Sequence, residues 1–68
     1  MGMVVVVNDE PRVMPDGATV ADLVGTLDLG RRRIAVEVNV QVVPRARYAE
    51  TVLHEGDRVE IIHFVGGG

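Results

Sequence analysis

Short apolar runs alternate along the chain with clusters of turn-forming residues. Met3 to Val7 is a continuous apolar run, Asn8-Asp9-Glu10-Pro11 supplies turn chemistry, and Arg12-Val13-Met14 resumes extended structure, which predicts a β-hairpin. Pro15-Asp16-Gly17 then breaks the chain. Beyond the break, Val20, Leu23, Val24 and Leu27 recur at i, i+3, i+4 and i+7, the single apolar stripe of an amphipathic helix. Thr19 followed three residues later by Asp22 resembles a capping box, with the shorter aspartate in place of glutamate. Gly25 inside this helix costs roughly 1 kcal/mol relative to alanine, so tertiary packing must support it. Gly30 is the expected stop.

Strand patterns dominate the second half. Ile34, Val36 and Val38 fall on one face and Ala35 and Glu37 on the other, as in a half-buried strand. A short strand is expected around Val42 and Val43, ended by Pro44, and Arg45 to Glu50 should form one irregular helical turn. Val52 and Leu53 are apolar again, and His54-Glu55-Gly56-Asp57 turns the chain into a last strand from Arg58 to Val65. In that strand Val59, Ile61, His63 and Val65 share one face, and Arg58, Glu60, Ile62 and Phe64 the other. The pattern leaves open which of the two is covered. The predicted order is β-β-α-β-β-β with a small fourth strand. A single helix must then cover one face of a mixed sheet, since a sheet this small needs one apolar partner. This is an α+β chain of β-grasp layout, with residues 1–65 as the domain and 66–68 as a flexible glycine tail.

A length of 68 residues allows one domain, near the lower limit for a core that stands without staples. Fifteen valines reinforce the strand-rich reading, because β-branched side chains suit a pleated sheet. Cysteine is absent, which removes disulfides, thiolate metal sites and cysteine nucleophiles, and fits a reducing compartment. The net charge of −3 argues against neutralising a nucleic-acid backbone. All seven basic residues are arginine, so no side-chain amine is present for a Schiff base or for an isopeptide bond of the chain to itself. The opening MGMVVVV is too short to span a membrane and lacks a cationic start and a cleavage site, so a soluble, cytoplasmic protein is expected.

Few side chains offer chemistry. His54 sits in a turn and His63 in the last strand, with no further ligands at metal-site spacing, so surface or packing roles are expected for both. Arg31 to Arg33 could receive an acidic partner or a phosphate. A solvated loop that also complements the helix C-terminal dipole is the plainer reading. No glycine-rich phosphate loop follows a strand, no Ser/His/Asp set is evident, and the acidic residues are scattered as solubility requires. What stands out is the ending, HFVGGG. A glycine run also fits a plain flexible terminus or an artificial linker. Glycine nevertheless has a specific use at this place: without Cβ it takes backbone angles closed to other residues. An extended glycine end can thread a narrow channel and present its carboxylate to a nucleotide held by another enzyme.

Taken together, VNDEP near the start, TVADLVGTL in the helix, AVEVN in the third strand and VVPRARYAETVLHEGDRVEIIHFVGGG to the end resemble the sulfur-carrier family of thiamin biosynthesis (ThiS), a ubiquitin-like β-grasp family. The resemblance spans nearly the whole chain. VVPR at Val42 to Arg45, EGDRVEI at Glu55 to Ile61 and the terminal glycines are its most specific parts. The turn after Asn39 departs from it: Val40-Gln41 stands where the family commonly has a glycine or an acidic residue.

The resemblance implies a carrier and not an enzyme. The carboxylate of Gly68 would be adenylated with ATP and magnesium by a ubiquitin-activating-type partner and converted to a thiocarboxylate by a sulfur donor such as a desulfurase relay. Thiazole synthase would then accept the sulfur. Gly66 and Gly67 would be the threading residues, and no cofactor would be bound. Ile62 and Phe64 are candidate partner contacts unless their face lies under the helix. Rival readings are a carrier for molybdopterin, tRNA thiolation or cysteine synthesis, a ubiquitin-like protein modifier, and a plain interaction module whose tail is incidental.

Overall fold

A computed structural model describes residues 1–30 and 33–64. Strand β1 (Gly2–Val7) turns into β2 (Glu10–Pro15), helix α1 (Val20–Thr26) follows, and then come β3 (Ile34–Val38), β4 (Gln41–Val43), a 3-10 turn at Arg45–Arg47 and β5 (Arg58–His63). The expected element order is observed, including the small fourth strand. The sheet runs β2-β1-β5-β3-β4. Its last strand in sequence is therefore central in space, parallel to β1 and antiparallel to β3.

Both hairpins close through two residues, between Val7 and Glu10 and between Val38 and Gln41. Asn8 (φ 48°), Asp9 (φ 68°), Asn39 (φ 50°) and Val40 (φ 70°) all adopt left-handed backbone. These are type I′ turns, whose twist matches that of the flanking strands. Asn and Asp tolerate such angles, whereas a β-branched valine strains against them.

Each asparagine also serves the central strand. The side-chain oxygen of Asn8 accepts from the Ile61 amide at 2.8 Å, and its Nδ2 donates to the Ile61 carbonyl at 3.2 Å. The amide group thus continues the β1–β5 ladder past the point where β1 turns away. On the other side, Asn39 Oδ1 accepts from the Arg58 amide at 3.0 Å, and the Asn39 backbone N–H donates to the Arg58 carbonyl at 2.8 Å. The backbone polar groups of β5 are satisfied at both ends of its pairing, as burial requires.

The capping box at the start of α1 is formed as expected: the Thr19 N–H donates to Asp22 Oδ2 at 2.9 Å and the Asp22 N–H to Thr19 Oγ1 at 3.2 Å. Its C-terminus is earlier than expected. Leu27 caps the helix, its N–H donating to the Val24 carbonyl at 3.2 Å, and Asp28 (φ 52°) takes the left-handed position that Gly30 was expected to fill. The last turn of the helix holds no basic residue, and Arg31 and Arg32, which were expected to complement its dipole, lie outside the described residues.

Leu23, Leu53, Val5, Val20, Val36 and Val59 are fully buried between α1 and one face of the sheet, each side chain contributing roughly 1.5–3 kcal/mol by leaving water. The long connection from β4 to β5 is tied to the helix entrance, with the Val20 N–H donating to the Thr51 carbonyl at 2.9 Å and the Leu53 N–H to the Ala18 carbonyl at 2.8 Å. Val59 and Ile61 belong to this core. The question left open for the last strand is thereby settled: the Val59–Ile61 face is covered, and the face of Glu60 and Ile62 is not.

Candidate functional site

Residues paired across a sheet lie on the same face, so the register maps the uncovered surface directly. Val13 stands opposite Val4, Val6 lies between Pro11 and Arg58, Glu37 lies between Glu60 and Val42, and Ala35 stands opposite Ile62. One strand position further on, the Phe64 N–H donates to the Arg33 carbonyl at 3.0 Å, carrying the pairing beyond β5. Ile62 is 45% exposed and Phe64 58%. Both candidate contacts are therefore exposed and not buried under the helix. Phe64 borders an open hollow with Arg33, Ile34 and Arg45, at the place where the chain leaves the sheet.

The charges on this face are arranged unevenly. Arg58 Nη2 donates to Asp9 Oδ1 at 2.9 Å, in the neighbouring hairpin turn. Glu37 and Glu60 face each other across β3 and β5, and among the described residues neither joins an ion pair. Directly opposed like charges destabilise a sheet. Reading the strand pattern alone did not find this pair; the alternation placed Glu37 and Glu60 outward, but only the β3–β5 register sets them side by side.

The other sequence candidates separate cleanly. His54 and His63 are both exposed, and the described residues include no cluster of three metal-ligating side chains. His63 lines a hollow of about 240 Å³ with Arg12, Leu27 and Leu29 beside the first hairpin. Arg33 is exposed, while Arg31 and Arg32 lie outside the described residues, as do Val65, Gly66, Gly67 and Gly68. Among the described residues no helix is long and apolar enough to cross a membrane.

A family model described as the ThiS family matches residues 3–68. The chain is 41% identical over 66 residues to a thiazole synthase of Paramagnetospirillum magneticum, a match that takes in 97% of this chain and 20% of that protein. It thus spans about a fifth of the length of that relative. To the sulfur carrier protein ThiS of Bacillus subtilis it is 40% identical over 53 residues, covering 78% of this chain and 80% of that one. Among solved structures, the crystal structure of a thiamine biosynthesis protein (ThiS) from Geobacter metallireducens superposes with a TM-score of 0.81 at 30% identity, covering 97% of this chain and all of the other.

Proposed function

The chain belongs to the ThiS family, and from that premise we propose that it is a sulfur carrier serving thiamin biosynthesis through the carboxylate of Gly68. The observation that carries this reading is the placement of β5. The strand that leads to the glycines is the central one, held by β1 and β3 on its two sides and by the side chains of Asn8 and Asn39. A chain end emerging from a strand so fixed starts from a defined point. Four residues follow Phe64, and at full extension they reach at most about 14 Å. That suffices to carry a carboxylate from the carrier's surface into a neighbour's active site.

The chemistry needs nothing catalytic from the carrier. A Gly68 carboxylate oxygen attacks the α-phosphorus of ATP on an adenylating partner that holds magnesium, and pyrophosphate leaves. A sulfur nucleophile from a persulfide relay then attacks the carbonyl carbon, and AMP departs. Cleavage of the remaining sulfur–sulfur bond by a second thiol leaves the thiocarboxylate. Gly66 and Gly67 give the end its narrow cross-section, since a side chain there would meet the channel wall. Thiazole synthase is the proposed recipient. This reading is supported by the relative that carries that name and contains a segment similar to this chain, and by the sulfur carrier of Bacillus subtilis.

Intact mass spectrometry tests the proposal. After incubation with ATP, magnesium, sulfide and a ThiS-adenylating enzyme, the chain should gain one adenylyl group and then exchange one oxygen for sulfur at Gly68. An unchanged mass with an enzyme active on another carrier would refute it.

A further inference from the structure

Positive charge gathers at the end of the sheet from which the glycines depart. The Phe64 N–H donates to the Arg33 carbonyl at 3.0 Å, which sets Arg33 beside the start of the tail. Arg45 opens the 3-10 turn after Pro44 and lines one open hollow with Arg33, Ile34 and Phe64. Among the described residues no carboxylate lines this hollow, and neither arginine joins an ion pair. Arg47 and Arg58, by contrast, are paired with Glu50 and Asp9. In a chain with ten acidic residues against seven basic ones, two arginines gathered away from every described carboxylate are out of keeping with a merely solvated surface. Guanidinium groups are planar forks that match a carboxylate with paired hydrogen bonds, and the apolar wall of Ile34 and Phe64 strengthens such bonds by lowering the local dielectric.

We propose that Arg33 and Arg45 form a carboxylate site whose ligand is the chain's own Gly68, folded back onto the hollow beside Phe64. The inference rests on the carrier reading above, in which Gly68 ends the chain, and gives its reactive group a resting position. Residues 65–68 carry no charged side chain, so the terminal carboxylate is the one charge the tail brings. A four-residue turn returns its last Cα to within about 7 Å of its first, which leads Gly68 back toward the rim from which the tail started. Gly66 and Gly67 would fill the two central positions of that turn, where left-handed backbone is open to glycine without steric cost. So short a flexible tether also holds the carboxylate at an effective concentration of order millimolar, which sustains a contact too weak to form between separate molecules. The other hollow near the end of β5 fits less well: its cation, Arg12, lies on β2, two strands from β5, and Glu10 lines the same space. A docked carboxylate is withheld from the partner's channel until it lets go. Exposed ion pairs are modest in strength and weaken with salt, so the partner can release it. A thiocarboxylate carries the same charge and returns to the same place.

Nuclear magnetic resonance of the full chain tests the site. The Gly67 and Gly68 amide resonances should move, and their heteronuclear NOE should fall, in the Arg33→Gln/Arg45→Gln double variant and likewise in the unaltered chain at 1 M salt, where the Debye length is about 3 Å. Arg12→Gln should leave both signals as they are. A chain made with a carboxamide at Gly68 removes the ligand's charge without touching either arginine, and should shift the Arg33 and Arg45 Nε–H resonances. Glycine signals identical in the unaltered chain and the double variant would overturn the proposal, and so would arginine signals indifferent to the carboxamide. Adenylation gives a second reading. Freeing the tail raises the fraction of carrier competent to thread, so the double variant should lower KM for the carrier roughly two- to fivefold with kcat little changed. A raised KM or a lost kcat would assign the two arginines to the partner or its nucleotide and overturn the resting position. The two readings fail separately: a tail indifferent to the arginines in a chain that is still adenylated refutes the docking alone, whereas a docked tail in a chain refused by an enzyme active on another carrier refutes the carrier reading and leaves the site standing.

Discussion

Val40 is the residue whose replacement should improve the fold. Its φ of 70° places a β-branched side chain in the second left-handed position of the β3–β4 turn, where the preferred sequence is Asn-Gly. The left-handed region costs an L-residue roughly 1–2 kcal/mol. Val40 is 88% exposed, so truncating it forfeits little burial. Glycine offsets part of the gain by loosening the unfolded chain, by about 0.4–1 kcal/mol. Val40→Gly should thus stabilise the protein by about 1 kcal/mol, which for a domain of this size raises the melting temperature by roughly 4–8 °C. The matched control is Val13, also largely exposed at 74% but in regular strand β2, where glycine should destabilise by about 0.5–1 kcal/mol. Thermal unfolding followed by circular dichroism measures both. Opposite signs for one chemical change at two exposed valines are expected. A drop in melting temperature for Val40→Gly would refute the assignment of strain to this turn.

Two further substitutions probe β5 and its end. Asn8→Ala removes both side-chain bonds to Ile61 and leaves alanine in left-handed backbone, for a combined loss of about 2–4 kcal/mol. Asn8→Gly keeps the turn relaxed and loses only the bonds, so it should cost less, and hydrogen exchange at the Ile61 amide should accelerate in both. Gly67→Leu should leave the melting temperature unchanged and abolish adenylation, as read by pyrophosphate release; normal adenylation of this variant would remove the threading role of the glycines.

The element order and the covering of one sheet face by one helix were legible from periodicity because apolar spacing alone distinguishes Val20-Leu23-Val24-Leu27 from Ile34-Val36-Val38. The capping box was legible too, since its signature is local in sequence. The helix end was not. Gly30 carries the stronger stop signal, yet Asp28 tolerates left-handed backbone and, following Leu27, ends the helix first. Nor could alternation say which side of β5 is buried, because both sides carry apolar residues: Val59 and Ile61 on one, Ile62 and Phe64 on the other. That choice is made by long-range pairing with β1 and β3. The Glu37–Glu60 opposition belongs to the same class, since each glutamate looks ordinary until the register brings them together.

Strand β5 therefore separates stability from recognition at a spacing of one residue. Val59 and Ile61 fill the core beneath α1, while Glu60 and Ile62 face outward. A slip of β5 by one residue would exchange the two sets, exposing the core residues and burying a glutamate. Parallel pairing with β1 is short, with only Val6↔Arg58 and Val7↔Val59 in register, and does little to prevent such a slip. The five-residue ladder with β3 constrains the register from the other side, and the side chains of Asn8 and Asn39 add to it. Each sits at the first position of a tight turn and engages a specific amide of β5, at Ile61 and Arg58 respectively. A one-residue shift would leave both amides without these acceptors. The same two asparagines that allow the hairpins to turn thus reinforce, beside the β3–β5 ladder, the register that sets which residues of β5 face the helix.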